Sequence, residues 1–302
     1  MIFNPQAKLL WHGSKVEEWL HTGRIGPILV EIAPVGYCNA NCSWCFCKRH
    51  HSNKRVNGID MLNAIEDLSI LGVKAINWTG GGEPTLHPKF DKFIAEANVC
   101  GLHQGLFTNG YQEIPHQDMF SWIRISLTDK GFKRIKKPDV PFGICLNHIK
   151  KYSEVDLENF CIQAKRFGAS YFQIRPALTG SYKRQPELIP PKFFEKYETN
   201  KFKVYITDYK YEEATKPKDY KYCYGYHFCP SIDWKGDVSA CLYLSHKEKF
   251  AFGNIQITSL MDIWPRIPEK IRVIPECQNC CKNHEINRIL YRAKNVTLQD
   301  FI

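Results

Sequence analysis

The chain is short of long apolar runs. Its first twenty residues, MIFNPQAKLLWHGSKVEEWL, hold no apolar stretch of signal-peptide length. No segment approaches the roughly 20 apolar residues of a membrane span. The expectation is a cytoplasmic protein with no membrane partner. Internal repeats and low-complexity tracts are also missing, which excludes solenoids and disordered arrays. Disulfide staples are not needed either, because 302 residues at 44% hydrophobic can bury a core of ordinary size. Cysteine, by contrast, is plentiful, with 13 residues. In a reducing compartment, clustered cysteine reads as metal binding or redox chemistry. Lysine and arginine (41) exceed aspartate and glutamate (31) by ten, which suggests an anionic substrate or partner. Metal–thiolate clusters would offset part of that charge.

From residue 28 strand-like and helix-like segments alternate. Strand candidates are ILVEIAP (28–34), VKAINWTGG (73–81), HQGLFTN (103–109), WIRISL (122–127), FGICLNH (142–148) and YFQIRPAL (171–178). Between them, IDMLNAIEDLSILG (59–72) carries Met61, Leu62, Ile65, Leu68 and Leu71 at helical spacing. PKFDKFIAEANVCG (88–101) starts on Pro88 and stops at Gly101. SEVDLENFCIQAKRFG (153–168) is a third helix. Six strands with crossovers predict an α/β fold, a partial (β/α)6 TIM-like barrel, with a flat doubly wound sheet as the alternative. Either way the chemistry belongs at the C-terminal ends of the strands. Residues 1–27 read as an N-terminal extension and 181–222 as a connection with one strand, KVYITDY. Beyond it, PSIDWKGDVSACLYL reads as a hairpin turning at Lys235–Gly236, followed by a short helix SLMDIWP and a C-terminal helix from about Lys282.

The first cysteine set, Cys38, Cys42 and Cys45, has the spacing C-x3-C-x2-C directly after the first strand. Three thiolates on one tight loop can hold three corners of a cubane iron–sulfur cluster and leave one iron open. A zinc knot, or plainly buried cysteines, would use the same spacing. Taken together, CNANCSWC after the first strand and GGEP (81–84) after the second resemble the radical S-adenosylmethionine (AdoMet) superfamily. The resemblance covers about 28–180. It implies a [4Fe–4S] cluster on Cys38, Cys42 and Cys45, whose fourth iron chelates the AdoMet amino and carboxylate groups. It implies Trp44 near the adenine, and Gly81, Gly82 and Glu83 at the methionine ammonium. Ser126 and Asn109 become candidates for the ribose, and Arg175 lies where the family's sixth strand meets adenine; a structural ion pair is the other reading of Arg175. Cys47 has no family role. The implied chemistry is one-electron cleavage of AdoMet to a 5′-deoxyadenosyl radical, which abstracts hydrogen from an unactivated C–H bond. An external reductant of flavodoxin or ferredoxin type is implied with it.

A second set, Cys223, Cys229, Cys241, Cys277, Cys280 and Cys281, falls in the last 80 residues. Cys223-x12-Gly236-x4-Cys241 and Cys277-x2-Cys280 resemble a twitch domain, the shorter relative of the SPASM domain. A complete SPASM domain needs seven cysteines and a C-x2-C-x5-C-x3-C run; here there are six and no such run. The resemblance implies one auxiliary [4Fe–4S] cluster on Cys223, Cys241, Cys277 and Cys280 within a small α+β domain, 223–302. Cys229 or Cys281 could replace a neighbour, and a structural zinc site is the alternative on spacing. Cys100, Cys145 and Cys161 lie in apolar segments and read as core.

Lys130, Lys133, Arg134, Lys136 and Lys137 crowd one loop after the fourth strand. They form either a solvated charge run or a clamp for phosphate or carboxylate. His50 and His51, beside Lys48 and Arg49, belong to the same face. The function expected is a radical AdoMet enzyme acting on a small, polar, anionic, sugar- or nucleotide-like substrate by oxidation, decarboxylation or rearrangement. Modification of a peptide or a nucleic-acid base is the alternative within the same chemistry. A non-catalytic metal module that binds nucleic acid is a third, but it has no use for GGEP.

Overall fold

The computed structural model describes residues 5–177, 186–213, 218–278 and 283–297. The expected boundary near 180, and Cys280 and Cys281, lie outside these. Two short helices, α1 (Pro5–Leu10) and α2 (Gly13–Thr22), lead into β1 (Leu29–Ile32). There follow α3 (Gly58–Ile70), β2 (Ala75–Trp78), α4 (Phe90–Val99), β3 (His103–Thr108), β4 (Trp122–Ser126), β5 (Phe142–His148), α5 (Glu154–Phe167) and β6 (Tyr171–Pro176). Next come β7 (Lys203–Ile206), α6 (Asp208–Glu213), β8 (Tyr222–Cys223), β9 (Ser231–Ile232), β10 (Asp237–Ser239), β11 (Ala251–Asn254), α7 (Leu260–Ile263), β12 (Ile271–Arg272) and α8 (His284–Asn295).

Strands β1 to β7 run parallel in sequence order. This run is one strand longer than the six expected. KVYI joins it as β7, whereas the following Asp208 opens α6, so KVYITDY is half strand and half helix. The crossovers are uneven. α3, α4 and α5 are full helices, while β3–β4 and β4–β5 are joined without an α-helix. Helix starts follow local chemistry. The Asn57 side chain accepts from the Ile59 and Asp60 N–H groups, and Ser153 and Asp156 form a reciprocal capping box.

Side-chain alternation gives the sheet two faces. Val30, Ile32, Ile76, Trp78, Leu106, Ile125, Ile144 and Ile174 pack with Met61, Ile65, Phe93 and Leu157 of the helices. The alternate positions on the other face include Phe107, Arg124, Ser126, Asn147, Gln173 and Arg175. Gly105 lies under the Trp122 ring and Gly143 under the Tyr171 ring, where a Cβ would collide with either aromatic. These two glycines let large rings lie flat on the concave side.

The C-terminal hairpin is built into the same sheet. β9 pairs in parallel with β1 (Glu31↔Ser231, Ile32↔Ile232), and β10 and β11 extend the order to β11-β10-β9-β1-β2-β3-β4-β5-β6-β7. Ile232, Val238, Ile255, Leu260 and Ile263 belong to the same apolar core as β1 and α3. The expected turn at Lys235–Gly236 is a short loop, closed by Asp233 N–H donating to the Asp237 carbonyl (3.0 Å), with Gly236 left-handed at φ 82°. Among the described residues no helix is long and apolar enough to cross a membrane.

Candidate AdoMet and iron–sulfur sites

The chain leaving β1 makes a loop closed at its base by antiparallel contacts. Gly36 N–H donates to the Lys54 carbonyl (2.9 Å), Ser52 N–H to Gly36 (2.9 Å) and Val56 N–H to Pro34 (3.0 Å). Cys38, Cys42 and Cys45 sit half-buried within this loop. A turn in which Cys45 N–H reaches the Cys42 carbonyl (3.3 Å) follows their short spacing. Cys38 Sγ accepts from Ala40 N–H (3.4 Å) and Asn109 Nδ2 (3.6 Å). N–H donors aimed at sulfur favour thiolate, and this donor set fits a cluster ligand. Burial pushes the Cys42 thiol up to about 11, with Cys45, Asp129 and Cys38 adding to the shift. Burial also raises Cys38 and Cys45, so metal must displace protons to bind. Among the described residues no three His, Cys, Asp or Glu side chains gather on a single-ion site.

Two residues that sequence reasoning did not single out brace this loop. Asp129, after β4, accepts from Ser43 N–H (2.8 Å) and faces Lys151 (3.7 Å). Tyr152, after β5, meets the Trp44 ring edge-on at 6.2 Å. His51 Nε2 lies 3.9 Å from Cys45 Sγ, while His50 stacks on His246 at 3.9 Å.

GGEP lies beside the cysteine loop as an extension of β2. Gly82 N–H donates to the Val35 carbonyl (2.8 Å) and Glu83 N–H to Tyr37 (2.9 Å). A Cβ on Gly82 would fall on the Tyr37 backbone, and one on Gly81 on the Trp234 ring. Glu83 is buried, and its carboxylate faces inward. Oε1 accepts from Thr85 Oγ1 (2.8 Å), Thr85 N–H (3.3 Å) and Thr108 Oγ1 (2.7 Å), and Oε2 from Asn109 N–H (2.7 Å). Burial raises its pKa and these bonds oppose the rise. Asn109 Nδ2 also donates to Asn39 Oδ1 (2.7 Å). Asn109 thus ties Glu83, Asn39 and Cys38 into one unit.

Ser126 ends β4 half-buried beside Cys145 of β5. Arg175 donates through Nε to Asn147 Oδ1 (3.0 Å), with its guanidinium 6.0 Å from the Phe107 ring. Its bond is to a neutral amide, unlike the ion pair weighed from sequence. The basic loop does not converge. Arg134 covers Tyr111 at 4.4 Å, Lys136 pairs with Glu113 (2.9 Å), Lys137 reaches the Gly168 backbone that ends α5, and Lys133 is exposed.

In the second cysteine set, Cys223 on β8 pairs with Ile271 of β12, and its Sγ accepts from Asn287 Nδ2 (3.3 Å). Asn287 Oδ1 accepts from Tyr224 N–H (2.7 Å) and Gly225 N–H (2.8 Å), fixing the turn after Cys223. Burial raises the Cys223 thiol, and nearby Cys277 adds to it, so these two share one neighbourhood. Cys241 is half-buried at the head of the 3-10 turn Leu242–Leu244, and Cys229 is buried. Asn287 had no sequence signal. Cys145 and Cys161 are buried as expected, whereas Cys100 is half-buried with its thiol on Glu96 (3.5 Å).

Two family models match. The radical SAM superfamily model covers residues 32–120 and the SPASM model, an iron–sulfur cluster-binding domain, covers 223–281. The chain is 25% identical over 139 residues to 7-carboxy-7-deazaguanine synthase of Haemophilus influenzae, covering 45% of this chain and 61% of that one. It is 30% identical over 105 residues to an S-adenosylmethionine-dependent nucleotide dehydratase of Flammeovirga pacifica, covering 30% and 34%. It therefore spans less than two thirds of either relative. Streptococcus suis SuiB bound to S-adenosylmethionine shares the fold at TM-score 0.59 and 18% identity, covering 87% of this chain and 72% of that one. So does anSMEcpe with bound AdoMet and a peptide, at TM-score 0.57 and 16% identity, covering 87% and 88%. Residues 32–120 thus form a radical SAM segment and residues 223–281 an iron–sulfur cluster-binding segment of SPASM type. The chain's cofactors are [4Fe–4S] clusters and S-adenosylmethionine.

Proposed function

We propose that this enzyme acts on a small, polar, anionic substrate of sugar or nucleotide type, with oxidation, decarboxylation or rearrangement as the outcome. One observation carries the reading. The cysteine loop, GGEP and Asn109 are bonded into one unit at the C-terminal ends of β1 to β3, on a sheet whose face away from the helices carries Arg124, Ser126, Asn147, Gln173 and Arg175. When bound, the cluster and AdoMet would together supply one-electron radical chemistry at an unactivated C–H bond.

The residues of this chain divide the remaining work. Cys38, Cys42 and Cys45 hold the first cluster, and Asn109 and Ala40 donate to sulfur. Gly81, Gly82 and Glu83 set the backbone that receives the methionine end, with Glu83 positioning Asn109 from behind. Trp44, braced by Tyr152, walls the adenine side, and Ser126 faces the ribose. Arg175, steered by Asn147, offers the cation for a phosphate or carboxylate. The basic cluster 133–137 is the weaker candidate for that role, because its members face separate partners. Cys223, Cys241, Cys277 and Cys280 would hold an auxiliary cluster, which would supply a one-electron acceptor for a net oxidation. The functional division is 1–27, 28–180, 181–222 and 223–302, and a flavodoxin- or ferredoxin-type protein delivers electrons.

Two curated relatives are named for a deazaguanine and a nucleotide, which supports the small-substrate reading. The test is anaerobic reconstitution, with about eight irons per chain expected for two four-iron sites. Replacing Cys38, Cys42 and Cys45 together by Ala should remove half the iron and all AdoMet cleavage. Bound zinc without iron would overturn the reading. Turnover of a ribosomal peptide, with none of a nucleotide or sugar acid, would replace the substrate class.

A further inference from the structure

Trp234 belongs to the auxiliary hairpin, yet its indole lies against both halves of the AdoMet site. It is 4% exposed and packs with Ala33, which follows β1, and Leu242, which follows Cys241. A Cβ built on Gly36, at the root of the cysteine loop, would lie 2.6 Å from Trp234 Cδ1 and equally close to Ser52 Oγ. One built on Gly81 would enter the six-membered ring at Cε3 and Cζ3, closer than real Cβ atoms come. The indole therefore occupies the space that Gly81 leaves open, and shares with the Ser52 hydroxyl the space beside Gly36.

The ring is not free to give way. Asp233 Oδ1 accepts from Lys235 N–H (2.8 Å) and Asp237 N–H (3.2 Å), closing the turn that holds Trp234. The Lys235 carbonyl accepts from Asn254 Nδ2 (2.8 Å) and Gln256 Nε2 (2.8 Å), and Gln256 Oε1 accepts from Asn57 N–H (2.8 Å). β9 fixes the register by pairing with β1. Two further contacts bind the cysteine loop to the same C-terminal segment: Phe46 against Tyr243 (5.6 Å) and His50 stacked on His246.

We propose that Trp234 is a positioning residue for the AdoMet site, through which the C-terminal module sets the Gly36 and Gly81 backbones and hence the cofactor's seat. This rests on the reading that 36–45 and 81–83 form that seat. A glycine there has two possible reasons: close approach of the ligand, or close approach of Trp234. The two reasons separate in a double-mutant cycle, because only the second disappears when residue 234 shrinks.

The cycle compares wild type, Gly81→Ala, Trp234→Leu and the double variant, each reconstituted anaerobically. Read-outs are the AdoMet dissociation constant by equilibrium dialysis, iron per chain, and the thermal midpoint of the protein before reconstitution. Gly81→Ala should weaken AdoMet binding roughly tenfold or more in the wild-type background, and less than about threefold in Trp234→Leu. Trp234→Leu alone should weaken AdoMet binding several-fold with iron content unchanged. Equal factors for Gly81→Ala in both backgrounds would overturn the proposal, since the ligand itself would then exclude the methyl. So would a Trp234→Leu protein with lowered thermal midpoint but wild-type AdoMet affinity, which marks a packing residue only. If Gly81→Ala does not fold, Gly36→Ala replaces it in the same cycle, run in a Ser52→Ala background because the Ser52 hydroxyl also borders that glycine. If wild type takes up no iron or AdoMet, the functional reading fails; the thermal midpoints then decide the wedge alone, and additive losses overturn it.

Discussion

Glu83→Gln tests whether the buried carboxylate holds the cysteine loop from behind. The substitution keeps shape and removes one acceptor. Glu83 now accepts from two backbone N–H groups, Thr85 and Asn109, on different oxygens, and from the Thr85 and Thr108 hydroxyls. A glutamine has one oxygen, so neither amide orientation serves both backbone donors. With the oxygen toward Thr85 and Thr108, the amide nitrogen opposes Asn109 N–H. With the oxygen toward Asn109, the Thr85 N–H is stranded and both hydroxyl protons need new acceptors. One stranded buried donor plus the lost charge assistance costs about 2–3 kcal/mol. At roughly 2 °C per kcal/mol for a chain of this size, the thermal midpoint should drop by about 4–6 °C. The assay is thermal unfolding before reconstitution, then iron content and AdoMet affinity after it. Moving Asn109 also loosens its bonds to Cys38 and Asn39, so AdoMet affinity should fall with stability. An unchanged midpoint and affinity would refute the reasoning. An unchanged midpoint with lost affinity would refute it differently, by showing that Glu83 acts on the ligand itself.

Other expectations are briefer. Asp233 is fully buried, and burial lifts its pKa to about 6, partly countered by Lys235. A folded pKa above the unfolded one means the native state binds more protons, so this group's contribution favours folding at low pH. That contribution falls as pH rises from about 4 to about 6, by up to roughly 3 kcal/mol, and is flat above. Asp233→Asn should flatten that slope and leave stability at pH 7–8 unchanged or higher, as denaturant titrations across about pH 4–8 would show. Cys223→Ala or Cys241→Ala should remove about half the iron and spare AdoMet cleavage without substrate, while product formation falls much further; loss of cleavage would show that the sites are not separate. Arg175→Gln should raise the KM for an anionic substrate at least about tenfold with substrate-free cleavage intact, the worth of a charge-assisted contact. Nucleic acid should bind weakly at physiological salt; affinity falling several hundred-fold or more between about 50 and 200 mM salt would point to a nucleic-acid substrate instead.

The cysteine spacing, GGEP and the helix boundaries were legible because each depends on neighbours a few residues apart. Ser153 and Asp156 announce α5, and Gly101 (φ 69°) ends the turn after α4. What stayed hidden depends on distant partners. Asp129 and Tyr152 brace residues 43 and 44 from loops after β4 and β5, with no motif to mark them. The basic run at 133–137 looks like a clamp in sequence, yet its charges diverge once Glu113 and Tyr111 arrive from another loop. α1 and α2 carried no motif. Trp19 of α2 is nevertheless buried with Tyr224, Phe228 and Leu290, so the N-terminal extension is tied to the C-terminal segment.

The pairing of β9 with β1 changes what a cysteine-rich tail can mean here. A module joined only by a linker could lose its cluster and leave the barrel intact. This hairpin instead supplies the strand beyond β1, and Ile232 and Val238 lie in the core shared with Ile32 and Ile65. Removing residues from 223 onward would bare the edge of β1, directly before the cysteine loop, and withdraw apolar side chains from both. Point substitutions of Cys223 or Cys241 spare that packing. The two perturbations therefore ask different questions: truncation reports on the fold that carries the AdoMet site, and only the cysteine variants report on an auxiliary cluster's part in the chemistry.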